Sequence, residues 1–210
     1  TATVAFTATD ACGNSSTTTA TFTIEDTTNP TIDTPASDLT VECDGSGNTA
    51  DLNAWLAANG NAVSSDTCSA VTWSNDFSAL SDLCGETGTA TVTFTATDDC
   101  GNSSTTSATF TIEDNTNPTI DTSASDLTVE CDGAGNTADL NAWLAANGNA
   151  ASSDTCSTIT WSNDFSALSD LCGETGAATV TFTATDDCGN SSSTTATFTI
   201  EDNTNPTIDT

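Results

Sequence analysis

The sequence contains no lysine, arginine or histidine among its 210 residues, whereas it contains 30 aspartates and glutamates. Side chains therefore cannot form salt bridges with one another, and each carboxylate must face water, a hydrogen-bond donor or a bound cation. The net charge of −30 argues against a nucleic-acid or anionic membrane partner, because no side chain can neutralise phosphate. The missing residues also exclude Ser–His and Cys–His catalytic pairs and Schiff-base lysines, so we expect no enzyme activity.

Apolar residues are also scarce, since they make up only 35% of the chain. A hydrophobic core built from so few residues usually needs additional cross-links. Repulsion among the acids keeps such a chain soluble but opposes its compaction. The composition therefore predicts small modules that are stabilised by disulfides or bound cations.

An 88-residue direct repeat organises the chain, because residues 33–120 return as residues 121–208 with eight substitutions. Residues 1–32 match the last third of the same unit. We therefore predict the C-terminal part of a truncated repeat at 1–32, two full Ig-like repeats, and the start of a further repeat at 209–210. So regular a period is typical of modules stacked for length or valency.

Two periodicities predict the elements of each repeat. Apolar and threonine residues alternate strictly over 89–98 and again over 107–113, which indicates two strands of a hairpin. Leucine and tryptophan at helical spacing predict a short helix at about 50–58. Several short strands, an inward Trp73 and a terminal hairpin favour an all-β fold of tandem Ig-like β-sandwich modules with a short helical insertion.

Nine cysteines occur, four in each full repeat, and none has Cys-x-x-Cys spacing. This pattern indicates two disulfides in each repeat and an oxidising, extracellular location. The strand at 88–98 spans about 36 Å, too far for Cys84 to reach Cys100. The preceding strand runs antiparallel to it in a sandwich, which places Cys68 beside Cys100. The predicted bonds are Cys43–Cys84, Cys68–Cys100, Cys131–Cys172 and Cys156–Cys188. Cys12 is the counterpart of Cys100, and we expect its partner upstream.

The last hairpin and linker of each unit resemble a known family. The segments TVTFTATDDCGN at 91–102 and ATFTIEDNTNP at 108–118 resemble the HYR (hyalin repeat) type of Ig-like module. Near-identical tandem copies resemble the large cell-surface adhesins of Bacteroidetes, such as the SprB-type gliding adhesins. The resemblance implies export, anchoring at the cell surface and a role in adhesion or gliding. The predicted helix at 50–58 departs from the hyalin pattern and is interpreted as an insertion.

The linker at 113–121 carries acids and an asparagine just before Pro118. It resembles the calcium-binding linker of cadherins, although the other calcium motifs of cadherins are absent. Calcium binds six to eight oxygens and needs no nitrogen ligand. The acids at facing ends of consecutive repeats should approach this linker. The candidate ligands of Ca²⁺ are Asp44, Glu86, Glu113, Asp114, Asn117, Asp121, Asp154, Asp186 and Asp187. Alternatively, the proline alone limits bending and the acids only solvate the surface.

The first functional hypothesis is a structural stalk of an extracellular adhesin or filament, in which the partners are neighbouring repeats of the same chain. The alternative is a multivalent module that binds surface glycans or proteins on other cells. An exposed aromatic patch would favour the second hypothesis. Trp55 and Trp73 lie on apolar stripes, so we expect them in the core instead of on a sugar-binding surface.

Overall fold

The computed structural model describes residues 1–169 and 171–208, so the predicted start of a further repeat at 209–210 lies outside the described residues. The chain divides into two compact units. The first unit comprises Thr1–Ser37, Trp55–Phe77 and Val92–Ala108, and the second comprises Asp38–Ala54, Ser78–Thr91 and Thr109–Thr210.

The described residues form strands of three to eleven residues and two nine-residue α-helices, in line with the predicted strands and short helix of each repeat. The strands are β1 Ala2–Thr9, β2 Ser15–Phe22, β3 Thr31–Thr34, β4 Leu39–Glu42, β5 Val63–Ser65, β6 Val71–Asn75, β7 Gly88–Asp98, β8 Ser103–Glu113, β9 Thr119–Thr122, β10 Leu127–Glu130, β11 Ala151–Ser153, β12 Ile159–Asn163, β13 Gly176–Asp186 and β14 Ser191–Glu201. The helices are α1 Thr49–Ala57 and α2 Thr137–Ala145, and each is followed by a 3₁₀ turn at Asn59–Asn61 or Asn147–Asn149.

Within residues 121–208 a four-stranded sheet has the order β10-β14-β13-β12, and β9 pairs with β11 in a second sheet. Strand β10 runs parallel to β14, whereas the other neighbours are antiparallel. The same arrangement recurs in residues 33–120 as β4-β8-β7-β6 and β3-β5. Strands β1 and β2 form an antiparallel hairpin. The predicted all-β class of tandem sandwich modules with a short helix is confirmed.

Alternation of side chains along the long hairpin strands builds the core. Val180, Phe182 and Ala184 of β13 are fully buried, while the threonines between them are half-buried on the opposite face. Phe198 and Ile200 of β14 complete the same cluster. The equivalent side chains of β7 and β8 are buried in the same way. The periodicity of two therefore predicts the buried face of these strands correctly.

The helix packs against this core through its tryptophan. Trp143 is 3% exposed, lies edge-on to Phe182 with ring centroids 5.2 Å apart, and donates a hydrogen bond of 3.0 Å from Nε1 to the Ser125 carbonyl. Trp55 makes the equivalent contacts with Phe94 and Ser37. The prediction that Trp55 packs in the core is therefore confirmed. The observed Thr49–Ala57 helix lies within one residue of the predicted one.

The predicted disulfide pairing is wrong. Cys43 bonds to Cys156, with a Cα–Cα distance of 6.1 Å, instead of to Cys84. Cys84 bonds to Cys188, with a Cα–Cα distance of 5.1 Å. The predicted Cys68–Cys100, Cys131–Cys172 and Cys156–Cys188 bonds are also absent, and Cys12, Cys68, Cys100, Cys131 and Cys172 are free thiols. Both observed bonds join a cysteine of residues 33–120 to a cysteine of residues 121–208.

The parallel pairing of β4 explains this outcome. It places Cys43, the residue after β4, beside the end of β8, and the Cys43 amide donates a 2.8 Å hydrogen bond to the Glu113 carbonyl. The chain leaves for the following repeat from this end of the sheet. The sequence argument treated each repeat as closed, so it paired cysteines that share one end of a repeat instead of joining them to the neighbouring repeat.

Candidate metal centre

Three aspartates meet where the linker after β8 approaches the second full repeat. Asp114 directly follows β8, Asp154 follows β11, and Asp186 is the last residue of β13. One carboxylate oxygen from each lies within 4.8 Å of one from each of the other two. Asp114 and Asp186 are 7% and 5% exposed, so two of the three carboxylates are buried. We call these three residues the joint cluster.

Backbone and side-chain donors hold each carboxylate of the joint cluster in place. The backbone amide and side-chain amide of Asn190 donate to the two oxygens of Asp186, at 2.8 and 2.9 Å. The same side-chain amide donates to the backbone carbonyl of Asp114 at 3.0 Å, which ties the linker to the loop after β13. The hydroxyl of Ser157 donates to the second oxygen of Asp114 at 2.8 Å. Asp154 accepts the amides of Cys156 and Ser157 through one oxygen only.

The same cluster occurs one period earlier, in Asp26, Asp66 and Asp98. Asn102 donates to Asp98 at 2.8 Å and to the backbone carbonyl of Asp26 at 3.1 Å, as Asn190 does in the joint cluster. The Oδ2 atom of Asp26 is buried and has no hydrogen-bond partner. A buried carboxylate oxygen without a donor is costly, because it loses its hydration without compensation. We call these residues the upstream cluster.

Burial and hydrogen bonding act in opposite directions on Asp98. Burial alone would raise the pKa of its carboxyl, but donors from Asn102 and the Cys100 and Gly101 amides outweigh burial and hold that pKa below its ordinary value. Its carboxylate is therefore ionised at neutral pH. The neighbouring Cys100 thiol has a raised pKa, because of burial first and then the negative charges of Asp26, Asp98 and Asp99.

The donor set fits a calcium ion. Calcium–oxygen distances of about 2.3–2.6 Å allow ligand oxygens on one ion to lie up to about 5 Å apart, and the three carboxylates of each cluster meet this limit. No basic residue exists in the chain to neutralise these carboxylates. The ligands are all oxygens, which suit a hard divalent cation and not a thiolate or imidazole metal.

The other six candidate ligands lie outside the joint cluster. Asp44 accepts the amides of Ser46 and Asn48, and the Asn48 amide foremost holds the pKa of Asp44 below its ordinary value. Asp121 accepts the hydroxyl of Ser153 at 3.0 Å. These two carboxylates therefore organise their own loops in the structure.

Of the remaining four, Glu86 and Asp187 line one shallow cleft. Asp187 accepts the hydroxyl of Thr158 at 2.6 Å. Glu113 and Asn117 are exposed, at the end of β8 and in the linker. The sequence placed all six near the linker, but only the fold shows which side chains converge.

Sequence reasoning missed Glu42, which fixes the linker. Its Oε1 atom accepts the Asn115 amide and the Thr116 hydroxyl, both at 2.8 Å. The Asn115 amide foremost, together with the Thr116 hydroxyl, holds the pKa of Glu42 below its ordinary value. The sequence carries little sign of this role, because Glu42 resembles an ordinary polar residue at a strand end. Its role depends on the parallel pairing of β4 with β8, which local sequence does not reveal.

No helix among the described residues is long and apolar enough to span a membrane. Comparison by sequence matches no protein-family profile and no curated protein. Among solved structures, extracellular domains 1–4 of Drosophila N-cadherin are similar at 9% identity and a TM-score of 0.35, over 83% of this chain and 50% of that one.

Two further similar structures are also cadherin ectodomains. Domains 1–3 of mouse clustered protocadherin gamma C3 show 12% identity and a TM-score of 0.32, over 95% of this chain and 76% of that one. Domains 3–6 of protocadherin gamma B7, in a cis-dimer structure, show 16% identity and a TM-score of 0.33, over 95% and 57%. The chain thus spans half the length of the N-cadherin structure.

Proposed function

We propose that this chain is a structural segment of an extracellular adhesion filament whose joints bind calcium. In this proposal residues 33–120 and 121–208 are consecutive Ig-like repeats, and residues 1–32 are the C-terminal part of another. The filament is non-catalytic, and its partners are neighbouring repeats of the same chain. Calcium at each joint offsets the repulsion among the acids and limits bending at the linker.

The recurrence of one acidic cluster at both linkers carries the proposal. Each cluster takes one aspartate from the linker, one from the loop after a short strand of the following repeat and one from the last position of a long strand of that repeat. An ion bound by all three would connect the linker to that repeat. The buried, unpartnered Oδ2 of Asp26 supports a cation site, because the sequence has no basic side chain to neutralise this carboxylate.

The finer identity is also part of the proposal. The resemblance of residues 91–102 and 108–118 to hyalin repeats supports a surface adhesin, used for attachment or gliding. The alternative, a glycan-binding module, would need an exposed aromatic platform. Trp55 and Trp143 are buried, and Trp73 and Trp161 are half-buried, so no tryptophan provides such a platform, which supports the filament.

Thermal unfolding in Ca²⁺ and in chelator tests the calcium joint. We expect the melting temperature to rise with Ca²⁺, since a ligand at about 100 times its Kd stabilises the folded state by about 2.7 kcal/mol. Equal ionic strengths of NaCl and MgCl₂ distinguish specific binding from screening of the acidic surface. A rise of the same size in all three salts would contradict a calcium site.

A pair of adjacent substitutions provides the matched control. Asp186→Asn removes a charge from the joint cluster, whereas Asp187→Asn removes one from the neighbouring residue, which bonds to Thr158 outside it. We expect the first variant to lose the part of the calcium-dependent rise that the joint cluster contributes, and the second to keep the full rise. Similar responses would show that calcium acts through general charge and not through the joint cluster.

A further inference from the structure

Both disulfides connect different repeats, and neither closes a single one. Their sequence separations of 113 and 104 residues exceed the 88-residue period. Cys43 and Cys84 belong to residues 33–120, while their partners Cys156 and Cys188 belong to residues 121–208. Two covalent bonds therefore reinforce the peptide linker between these repeats.

The repeat period accounts for every free cysteine. Shifting the two observed bonds by one or two periods of 88 residues gives the partner position of each remaining thiol. Cys12, Cys68 and Cys100 then require a preceding repeat, whereas Cys131 and Cys172 require a following one. All five partner positions fall outside residues 1–210, so the free thiols are consistent with the same pairing between consecutive repeats.

Glycines next to the bonded cysteines show that the surface of the repeat is shaped for this contact. A Cβ atom added at Gly45 would lie 2.7 Å from the Thr155 oxygen, and one added at Gly85 would lie 2.5 Å from the Cys156 oxygen. The Glu86 amide donates to that same Cys156 oxygen at 2.9 Å. Only glycine lets the backbones approach this closely.

The counterparts Gly133 and Gly173 have nothing within 4 Å, yet both keep the positive φ of Gly45 and Gly85. The surface of the second repeat around Gly133 and Gly173 therefore matches the contact surface around Gly45 and Gly85, and it carries the counterpart cysteines, Cys131 and Cys172. The occupant that fits this surface is another copy of the same repeat, which carries the counterparts of Cys156 and Cys188.

We propose that the array is a disulfide ladder, in which the counterparts of Cys43 and Cys84 in each repeat bond to the counterparts of Cys156 and Cys188 in the next repeat. Each bond forms when two thiols give up two protons and two electrons to an extracellular disulfide oxidant, such as oxidised glutathione. The disulfide ladder goes beyond the proposed calcium joints and does not depend on them, because covalent bonds between repeats need no bound ion.

The ladder limits how far the array can extend, even when its repeats unfold. The shortest covalent route through a continuing array uses only the residues from Cys172 to Cys188 in each period and then crosses a disulfide. That route of about 16 residues spans at most about 55 Å, whereas an unlinked repeat of about 88 residues would span about 300 Å. A filament built in this way transmits tension with little lengthening, even when its repeats unfold.

Peptide mapping under non-reducing conditions tests the connectivity in the intact 210-residue chain. Cleavage after glutamate gives four fragments that carry the eight cysteines of the full repeats: 43–86, 87–113, 131–174 and 175–201. The ladder predicts that 43–86 is linked to both 131–174 and 175–201, while 87–113 is released. Disulfides inside each repeat would instead link 43–86 to 87–113 and 131–174 to 175–201, and this result would overturn the proposal.

Single-molecule extension in denaturant measures the mechanical consequence. In the ladder, the route runs from Thr1 to Cys43 and from Cys156 to Thr210, about 96 residues or about 340 Å. Disulfides inside the repeats would give about 440 Å, and the reduced chain about 730 Å. The oxidised chain should therefore extend about half as far as the reduced one. Equal extension of the two would refute the ladder.

Two sets of substitutions control for the loss of cysteine itself. Replacing Cys43, Cys84, Cys156 and Cys188 with serine should give the full reduced length under oxidising conditions. Replacing Cys68 and Cys100, which are free in the structure, should leave the oxidised length unchanged. A chain that kept its short length without the four bonded cysteines would contradict the assigned pairs.

Discussion

Gly85→Ala tests the contact between repeats, and Gly173→Ala is its matched control. The two glycines are counterparts in the repeat, with φ of 54° and 64°. Alanine at either position adopts a left-handed conformation, which costs about 1–2 kcal/mol. This cost is common to both variants, so it cancels in the comparison.

The surroundings of the added methyl group differ sharply. At Gly85 the new Cβ would lie 2.5 Å from the Cys156 oxygen and 2.6 Å from the Ser157 hydroxyl, whereas at Gly173 it meets nothing within 4 Å. Overpacking against a backbone typically costs about 1–3 kcal/mol. Displacement of the Cys156 oxygen would also weaken its 2.9 Å hydrogen bond from the Glu86 amide, which is worth about 1 kcal/mol.

Urea denaturation of the oxidised chain measures the difference. We expect Gly85→Ala to lower the free energy of unfolding by about 2–4 kcal/mol more than the clash-free control. Hydrogen exchange should show reduced protection of the Glu86 amide in the same variant. Equal destabilisation by the two substitutions would refute the inference that this glycine is required by the neighbouring repeat.

Three further predictions concern the core, the helix and the linker. Phe182→Ala should destabilise the chain by about 3–5 kcal/mol in urea denaturation, whereas Phe6→Ala, at the 56% exposed counterpart, should change stability by less than about 0.5 kcal/mol. Trp143→Phe should cost about 1–3 kcal/mol, because it removes the bond to the Ser125 carbonyl, and a smaller effect than that of a half-buried Trp161→Phe would contradict this role. Folding lowers the pKa of Glu42 below 4.5, so its contribution is present above that pH and is lost as pH falls through the folded pKa. The urea midpoint of Glu42→Gln should therefore vary less between pH 7 and pH 3 than that of the unsubstituted chain.

Local periodicity explains why much of the fold can be predicted. Alternation over 89–98 gives the buried face of β7, because side chains of a strand point to opposite faces in turn. The spacing of Leu52 and Trp55 gives the helix for a similar local reason. The parallel pairing of β4 with β8 escapes this reasoning, because it joins residues about 70 positions apart. The anchoring role of Glu42 escapes it too.

The candidate metal site is likewise predicted only in part from the sequence. Composition identifies oxygen ligands as the available chemistry, and the linker pattern includes Asp114 among nine candidates. Only the fold shows that Asp154 and Asp186 share its cluster while Asp121 bonds elsewhere, because convergence depends on where several loops aim their side chains.

By itself the sequence determined the repeat period, the strand and helix pattern, and the absence of any basic side chain to neutralise the carboxylates. The tertiary structure decided which cysteines are bonded. A disulfide needs two Cα atoms within about 7 Å, and four cysteines in each repeat allow many pairings. The choice of Cys43–Cys156 and Cys84–Cys188 depends on how consecutive repeats meet, which is set by long-range packing and not by spacing along the chain.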